Sequence, residues 1–301
     1  MKQPDVSIII VSFQVKAFLL ACLESVRGDE SASSEVIVVD NASVDGSQEA
    51  IRESFPEVRL IENGVNTGFS AANNQGMEIA GGRYVLLLNP DTIVKNGALG
   101  KLVDFMDSHP QVAACGPRLL NEDASVQPSA WRFPGWMSMW KEAFFLNYLL
   151  PDQSILGVNA VSPEQVDALS GAALMMRSEN RIDLDESLFW MEDVDLCYRL
   201  NGPVFIVSAA EIIHFGGKSS AQRMGLAVAN QLTSKVKFFY KHRGPQIGFL
   251  ASLAVGIQLT NRLCLFFLLS WLPRFRVHLR AYMFATRFFV RYKTSKDQRV
   301  I

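Results

Sequence analysis

Four segments of this 301-residue chain end an apolar run with a group that can do chemistry: VVDNAS (38–43), LLLNPDT (86–92), MEDVDLC (191–197) and IIHFGGKSS (212–220). Asp40 can accept a hydrogen bond from a base N–H or a ribose hydroxyl. Asp91 is a hard oxygen ligand of the kind Mg²⁺ or Mn²⁺ takes, with phosphate oxygens and water filling the other positions. His214, as a neutral imidazole, suits a further metal ligand beside a carboxylate and a diphosphate. Glu192 and Asp193 open a helix-like segment, and Asp193 can take the proton of an attacking hydroxyl. In this order the four segments imply a site for a nucleotide, a divalent cation and a general base.

Each segment also has a plainer reading. Asp40 before Asn-Ala-Ser is a common helix N-cap, Asn-Pro-Asp is good turn chemistry, and acids in a first helical turn stabilise it through the dipole. A lone histidine is usually structural. The ordered set carries the inference, and no single member does. Two further features extend it. NTGFSAANNQG (66–76) places Asn66 and Gly68 in a turn before a helix start, where free backbone N–H groups suit a phosphate or ribose. Lys218, in the Gly-Gly-Lys-Ser-Ser loop after His214, supplies a point charge for phosphate. Asp195 is read as structural.

These groups need a scaffold that brings distant segments together. Residues 6–12 predict a buried strand, 16–27 a helix, 35–40 a second strand and 46–54 a helix. A third strand near 58–62, a helix over 70–80 and a strand over 83–89 follow. Apolar, non-alternating strands separated by helices predict a parallel sheet covered on both faces. Right-handed crossovers then bring the C-terminal strand ends to one edge, where ligands bind, and Asp40 and Asp91 both fall there. Between 111 and 170 the pattern is less regular, with β-type pieces at 112–120 and 125–131 and a Trp-rich stretch (Trp131, Trp136, Trp140) that either covers an acceptor or is plain core. Residues 170–177 read as another buried element.

Composition agrees with a folded enzyme: 49% hydrophobic and 20% charged residues exclude a disordered or fibrous chain. The opening MKQPDVSIIIVSF reads as strand and not as a secretory leader. Four scattered cysteines without a CxxC pair fit a reduced, cytosol-facing protein. The net charge of −1 conceals an asymmetry: residues 1–211 carry 14 Lys+Arg against 29 Asp+Glu, and residues 212–301 carry 15 against one. Basic residues interleaved with long apolar runs favour an anionic membrane surface over nucleic acid as the partner.

The chain resembles the family 2 inverting glycosyltransferases of the GT-A fold, in particular the branch of rhamnosyltransferases and related O-antigen and cell-wall enzymes. The likeness covers about residues 5–220 and rests on SIIIVSF (7–13), VVDNAS, NTGFSAANNQG, LLLNPD, SGAALMMR (170–177), MEDVDLCYRL and HFGGKSS. It implies a Rossmann-like, mostly parallel α/β sheet. It also implies donor binding by Ser12, Asp40, Asn66, Gly68, Asn74, Asn89, Asp91 and Lys218, a metal on Asp91 and His214, and Asp193 as base beside Glu192. The chain departs from the family pattern at Asn89, where the first acid of the DxD metal motif is expected. It departs again at Ile182-Asp183-Leu184-Asp185, in place of Gly-Gly-Phe-Asp, in a shortened segment. The activity implied is inverting transfer of a sugar from dTDP-rhamnose or a UDP-sugar to a hydroxyl of a lipid-linked or cell-surface glycan. The alternative is a silent nucleotide-sugar-binding subunit of a membrane complex.

The predicted domains are a catalytic domain over 1–243 and a membrane-associated helical region over 244–301. Residues 247–272 are 26 largely apolar positions, about 39 Å if helical and long enough to span a bilayer. Gln258, Asn261 and Arg262 lie inside that run, and a central Arg costs roughly 2.5–3.5 kcal/mol on insertion. Both flanks are basic, so an in-plane helix or re-entrant hairpin on the cytoplasmic face fits better than a single span. Arg276, Arg280, Arg287 and Arg291 share one helical face, with Leu279, Met283 and Val290 expected on the other, as in an interfacial anchor. The competing reading is a core-packed helix pair with a solvated basic face.

Overall fold

The computed structural model describes residues 3–149, 155–156, 161–216 and 224–294. Two compact units emerge, one of Met1–Phe133, Ile155–Glu186 and Asp193–Gly216, the other of Pro134–Ser154, Ser187–Glu192 and Gly217–Ile301.

The first unit is α/β. Strand β1 (Val6–Ser12) carries five β-branched residues among its seven and is buried along its whole length. It pairs in parallel with β2 (Ser34–Asp40) on one side and with β4 (Tyr84–Leu88) on the other; β2 in turn pairs in parallel with β3 (Arg59–Glu62). Beyond β4, and short β5 (Thr92–Val94), come β6 (Ala114–Leu120), β7 (Ala130–Trp131), β8 (Ile155–Leu156), β9 (Glu164–Val166), β10 (Ala168–Leu169), β11 (Ala173–Arg177) and β12 (Val204–His214). The main sheet runs β3-β2-β1-β4-β11-β6-β12-β5, with β9 also on β12, and β10-β7-β8 form a small second sheet.

The sheet is mixed, mostly parallel. β11 is antiparallel to both β4 and β6, which makes β6 parallel to β4, and β12 is parallel to β6. The C-terminal ends of β1, β2, β4 and β12 therefore share one edge, and the residues that lead into antiparallel β11 reach that same edge. Strand β12 is one long element, and the segment expected as strand over 125–131 keeps only β7 and a bridge from Leu120 to Val126.

Helices α1 (Lys16–Arg27), α2 (Ser47–Ser54) and α4 (Ala98–Ser108) cover the face that holds Ile8 and Ile10; α3 (Phe69–Glu78) and α6 (Glu192–Arg199) cover the opposite face with Ile9. Gly76 lets α3 lie close on β1: a Cβ there would sit 2.5 Å from Ile9 Cγ2.

The second unit is helical. It contains α5 (Trp136–Ala143), α7 (Met224–Leu268) and α8 (Pro273–Thr294). Helix α7 is broken at Gly244, whose φ of 82° and ψ of 172° are open to glycine, and Pro245 follows with no N–H to rejoin the ladder. The two arms fold against each other, since a Cβ on Gly248 would lie 2.4 Å from the Tyr240 ring. Three polar residues of the second arm face protein: Gln258 and Arg262 are buried, the Arg262 guanidinium lies 4.1 Å from the Phe145 ring centre, and Asn261 Nδ2 donates to the Ala143 carbonyl at 2.9 Å. Its outward stripe is apolar, with Phe249, Leu253, Phe267 and Leu268 exposed.

On α8 the four arginines are exposed together, as their spacing predicts. The core-facing side differs from expectation. Ala281, Ala285, Phe289 and Tyr292 turn inward, whereas Met283 and Val290 are exposed beside the arginines. Small residues at 281 and 285 permit close helix approach, which Met and Val at the flanking positions do not.

Candidate active site

Ser12 and Asp40 are partners in the β1–β2 register, each the last residue of its strand and fully buried. Asp40 Oδ1 accepts the Ser43 N–H at 2.8 Å and Gln48 Nε2 at 2.7 Å. Asp40 Oδ2 and Ser12 Oγ, by contrast, are buried without a hydrogen-bond partner among the described residues. A buried carboxylate oxygen left unpaired costs several kcal/mol on the order of its desolvation, so this pair marks a place for a ligand that both donates and accepts. Asp40 does not cap α2, whose N-cap is Gly46; its Oδ1 instead closes a turn on Ser43 and holds the Gln48 side chain.

The adjoining loop is prebuilt. Asn66 Oδ1 accepts the Gly68 N–H at 2.9 Å, and Asn41 Nδ2 holds the Gly68 carbonyl at 3.2 Å, so α3 starts immediately beyond these anchors. Asn74 sits on α3 with its amide engaged elsewhere. It donates to the Leu184 carbonyl at 3.1 Å and accepts the Leu184 N–H at 2.8 Å, tying the shortened segment to the helix. Asp195, fully buried, pairs with Arg199 at 2.7 Å, and Arg199 donates to the Asp183 carbonyl, which is a structural role for the same segment.

Asn89 and Asp91 occupy the turn between β4 and β5. The turn is fixed on both sides: the Asn89 N–H donates to the Ala172 carbonyl at 2.9 Å, and the Phe215 N–H donates to the Asp91 carbonyl at 3.0 Å. The second bond brings the end of β12 alongside, so that His214 Nε2 lies 3.4 Å from Asp91 Oδ1 and 3.3 Å from Asn89 Nδ2.

Gln127 sets the histidine tautomer. Its Nε2 donates to Asn121 Oδ1 and to the His214 carbonyl, which leaves Oε1 to accept from His214 Nδ1 at 2.7 Å. With the proton on Nδ1, the Nε2 lone pair faces the Asp91 carboxylate. Two acceptors that close together suit a cation, and an anchored Nδ1–H is the usual support of a metal-bound imidazole. The residues therefore fit a divalent ion. Among the described residues no cluster of three His, Cys, Asp or Glu side chains forms a protein-only metal site, so a diphosphate and water would supply the remaining ligands.

Asp193 lies in the first turn of α6. Its Oδ2 accepts the Gly171 N–H at 3.0 Å and its Oδ1 accepts the Val194 N–H at 2.8 Å. Burial outweighs these two hydrogen bonds and holds the carboxyl above the usual aspartate range. Residues 171–172 thus grip both sides of the site, with Gly171 on Asp193 and Ala172 on Asn89. Glu192 accepts the Met191 N–H at 2.9 Å at the start of α6. Lys218 lies outside the described residues.

Within the α/β unit the structure brings Ser12, Asp40, Asn89, Asp91, Asp193 and His214 to one edge of the sheet. Gln127 and Gly171 escape sequence reasoning because each acts through a contact of high sequence separation. A glutamine in an irregular stretch and a glycine before a strand carry no periodic signal.

The family profile described as "Glycosyl transferase family 2" matches residues 7–173. An N-acetylglucosaminyl-diphospho-decaprenol L-rhamnosyltransferase of Mycobacterium tuberculosis is 29% identical over 219 residues, covering 62% of this chain and 68% of the relative. The succinoglycan biosynthesis protein ExoO of Rhizobium meliloti is 30% identical over 108 residues, which is 36% of this chain and 31% of ExoO. Among solved structures, the mannosyltransferase PcManGT of Pyrobaculum calidifontis, in complex with GDP-Man and Mn²⁺, superposes with a TM-score of 0.58 at 14% identity. That superposition covers 99% of this chain and 89% of the mannosyltransferase. At that identity the likeness is one of fold.

Proposed function

The chain belongs to glycosyl transferase family 2 and is a glycosyltransferase; from that premise we propose that it transfers a sugar, with inversion, from a uridine or thymidine diphosphate donor to a hydroxyl of a lipid-linked glycan. The observation that carries the reading is the shared grip of residues 171–172 on Asp193 and on the Asn89–Asp91 turn. One short segment thereby couples the group that takes a proton to the turn that meets the leaving diphosphate.

Asp193, raised by burial, is a stronger base than an exposed carboxylate and accepts the acceptor hydroxyl's proton as that oxygen attacks the anomeric carbon. Direct displacement breaks the bond to the diphosphate, inverts the centre and needs no covalent intermediate. Asp91 and His214 would hold Mg²⁺ or Mn²⁺, which supplies charge neutralisation for the departing diphosphate. Ser12 and Asp40 select the base. Because Asp40 Oδ1 already accepts two donors, Oδ2 alone is left. Uracil and thymine present one N–H between two carbonyls, which matches one carboxylate oxygen and one hydroxyl. Guanine presents two adjacent N–H groups, which call for both carboxylate oxygens.

The identity with the mycobacterial rhamnosyltransferase supports rhamnose as the sugar and a polyprenyl diphosphate carrier as the acceptor's anchor, within polysaccharide or cell-wall synthesis. The basic and apolar helical unit supports attachment to the cytoplasmic face of the membrane, lying in its surface or re-entering it. The test is calorimetric binding of UDP, dTDP, GDP and ADP with Mn²⁺. UDP or dTDP binds at least about tenfold more tightly than the purine nucleotides, a difference of about 1.4 kcal/mol, and Asp40→Asn weakens it. GDP binding as tight as UDP and dTDP would overturn the donor assignment.

A further inference from the structure

Helices α7 and α8 meet at a turn, residues 269–272, flanked by large apolar side chains that point away from the helical core. Phe267, Leu268 and Trp271 are 70%, 72% and 71% exposed, and residues 263–273 carry no charged side chain. Such a tip enters lipid more readily when its backbone polar groups are paired within the protein. Here the N–H groups of Leu269, Ser270, Leu272 and Phe275 donate to the carbonyls of Leu265, Phe267, Leu269 and Leu272. Arg276 Nε donates to the Ser270 carbonyl at 2.9 Å, which closes the exit of α7. The Phe266 ring stacks on Phe275 and on His278, with ring centres 6.1 and 5.3 Å apart, and so fastens the tip to the start of α8.

The middle of the second α7 arm is committed to protein, with Arg262 on the Phe145 ring and Asn261 on the Ala143 carbonyl. Its end is what remains to enter a bilayer. Just past the tip, Arg274, Arg276 and Arg280 are exposed, and residues 212–301 carry 15 Lys+Arg against one acid. That charge fits an anionic surface and opposes a second copy of the same segment. Resting on the membrane attachment proposed above, we propose that the α7–α8 turn is the part of the chain that penetrates an anionic leaflet. Phe267, Leu268 and Trp271 enter the boundary between head groups and acyl chains, about 5–10 Å deep, and the arginines at the start of α8 stay with the head groups. The second α7 arm then enters from one side and does not cross.

The test is flotation of the full chain with vesicles of phosphatidylglycerol and phosphatidylcholine, with a nitroxide on Cys264, the exposed one of the four cysteines. On floated protein the nitroxide gains collisions with oxygen and loses those with a water-soluble nickel chelate. Phe267→Ser, Leu268→Ser and Trp271→Ser together lower partitioning at least about hundredfold, and UDP or dTDP binding with Mn²⁺, read separately, is unchanged. Vesicles of phosphatidylcholine alone bind the parent at least about tenfold more weakly; equal binding overturns the choice of an anionic leaflet. A triple variant that floats like the parent overturns the penetrating turn and leaves the attachment standing, as does a nitroxide still open to the chelate on floated protein. Failure of the parent to float overturns both. A dimer in maltoside that the triple variant dissolves places a second copy on this surface and overturns the assignment to lipid.

Discussion

Burial and hydrogen bonding act in opposite directions on the Asp193 carboxyl, and burial prevails. The Gly171 and Val194 N–H groups still point at its oxygens and fix their direction, so the group is a strengthened base in a set orientation. Positioning of another kind operates at His214, where Gln127 holds the Nδ1 proton and thereby leaves Nε2 as a lone pair beside Asp91. Gln127→Met should therefore lower Mn²⁺ affinity in the presence of nucleotide about 10- to 100-fold, read by electron paramagnetic resonance titration. Unchanged Mn²⁺ affinity would remove Gln127 from that role. Asp91 and His214 were legible in the sequence because each ends an apolar run. Gln127 was not, because its meaning depends on β12 returning 87 residues later.

At the scale of elements, the sheet edge works because neighbouring strands stop in register. Gly76 keeps α3 close enough to β1 for this, and a methyl group there meets Ile9 at 2.5 Å. Gly76→Ala should destabilise the protein by about 1–3 kcal/mol, read as a lower denaturation midpoint; an unchanged midpoint would show that α3 is free to shift outward. The first four strands and three helices were readable to within two residues, since local apolar periodicity dictates them. The antiparallel insertion of β11 between β4 and β6 was not, because a buried run such as Ala173–Arg177 has the same appearance in either direction. The inward face of α8 was likewise hidden. An arginine stripe is visible as periodicity, but which of the remaining faces packs depends on the neighbour, and here small residues at 281 and 285 decided it.

Across the whole molecule, an acidic α/β unit is joined to a basic helical one that exposes an apolar stripe on α7 and an arginine face on α8, while Gln258 and Arg262 turn inward. That inversion turns the one arginine of the second α7 arm away from the outward stripe, with its guanidinium over the Phe145 ring. Arginines near an anionic bilayer contribute about 1 kcal/mol each. Replacing Arg276, Arg280, Arg287 and Arg291 together with Gln should lower partitioning onto phosphatidylglycerol vesicles by roughly two to three decades at low salt; sedimentation equal to the parent's would dissociate the arginine face from the membrane. Residues 171–172 join the proton acceptor to the donor edge. The most direct test of that coupling is the pH dependence of nucleoside-diphosphate release by the full chain, with Asp193→Asn as the comparison. A base raised by burial must lose its proton to act, so the rate should fall on acidification through a limb above the ordinary aspartate value of about 3.9. Asp193→Asn should abolish release while retaining donor binding, since the amide keeps the size of the side chain but cannot take up the proton. Near-normal release by Asp193→Asn would contradict the account.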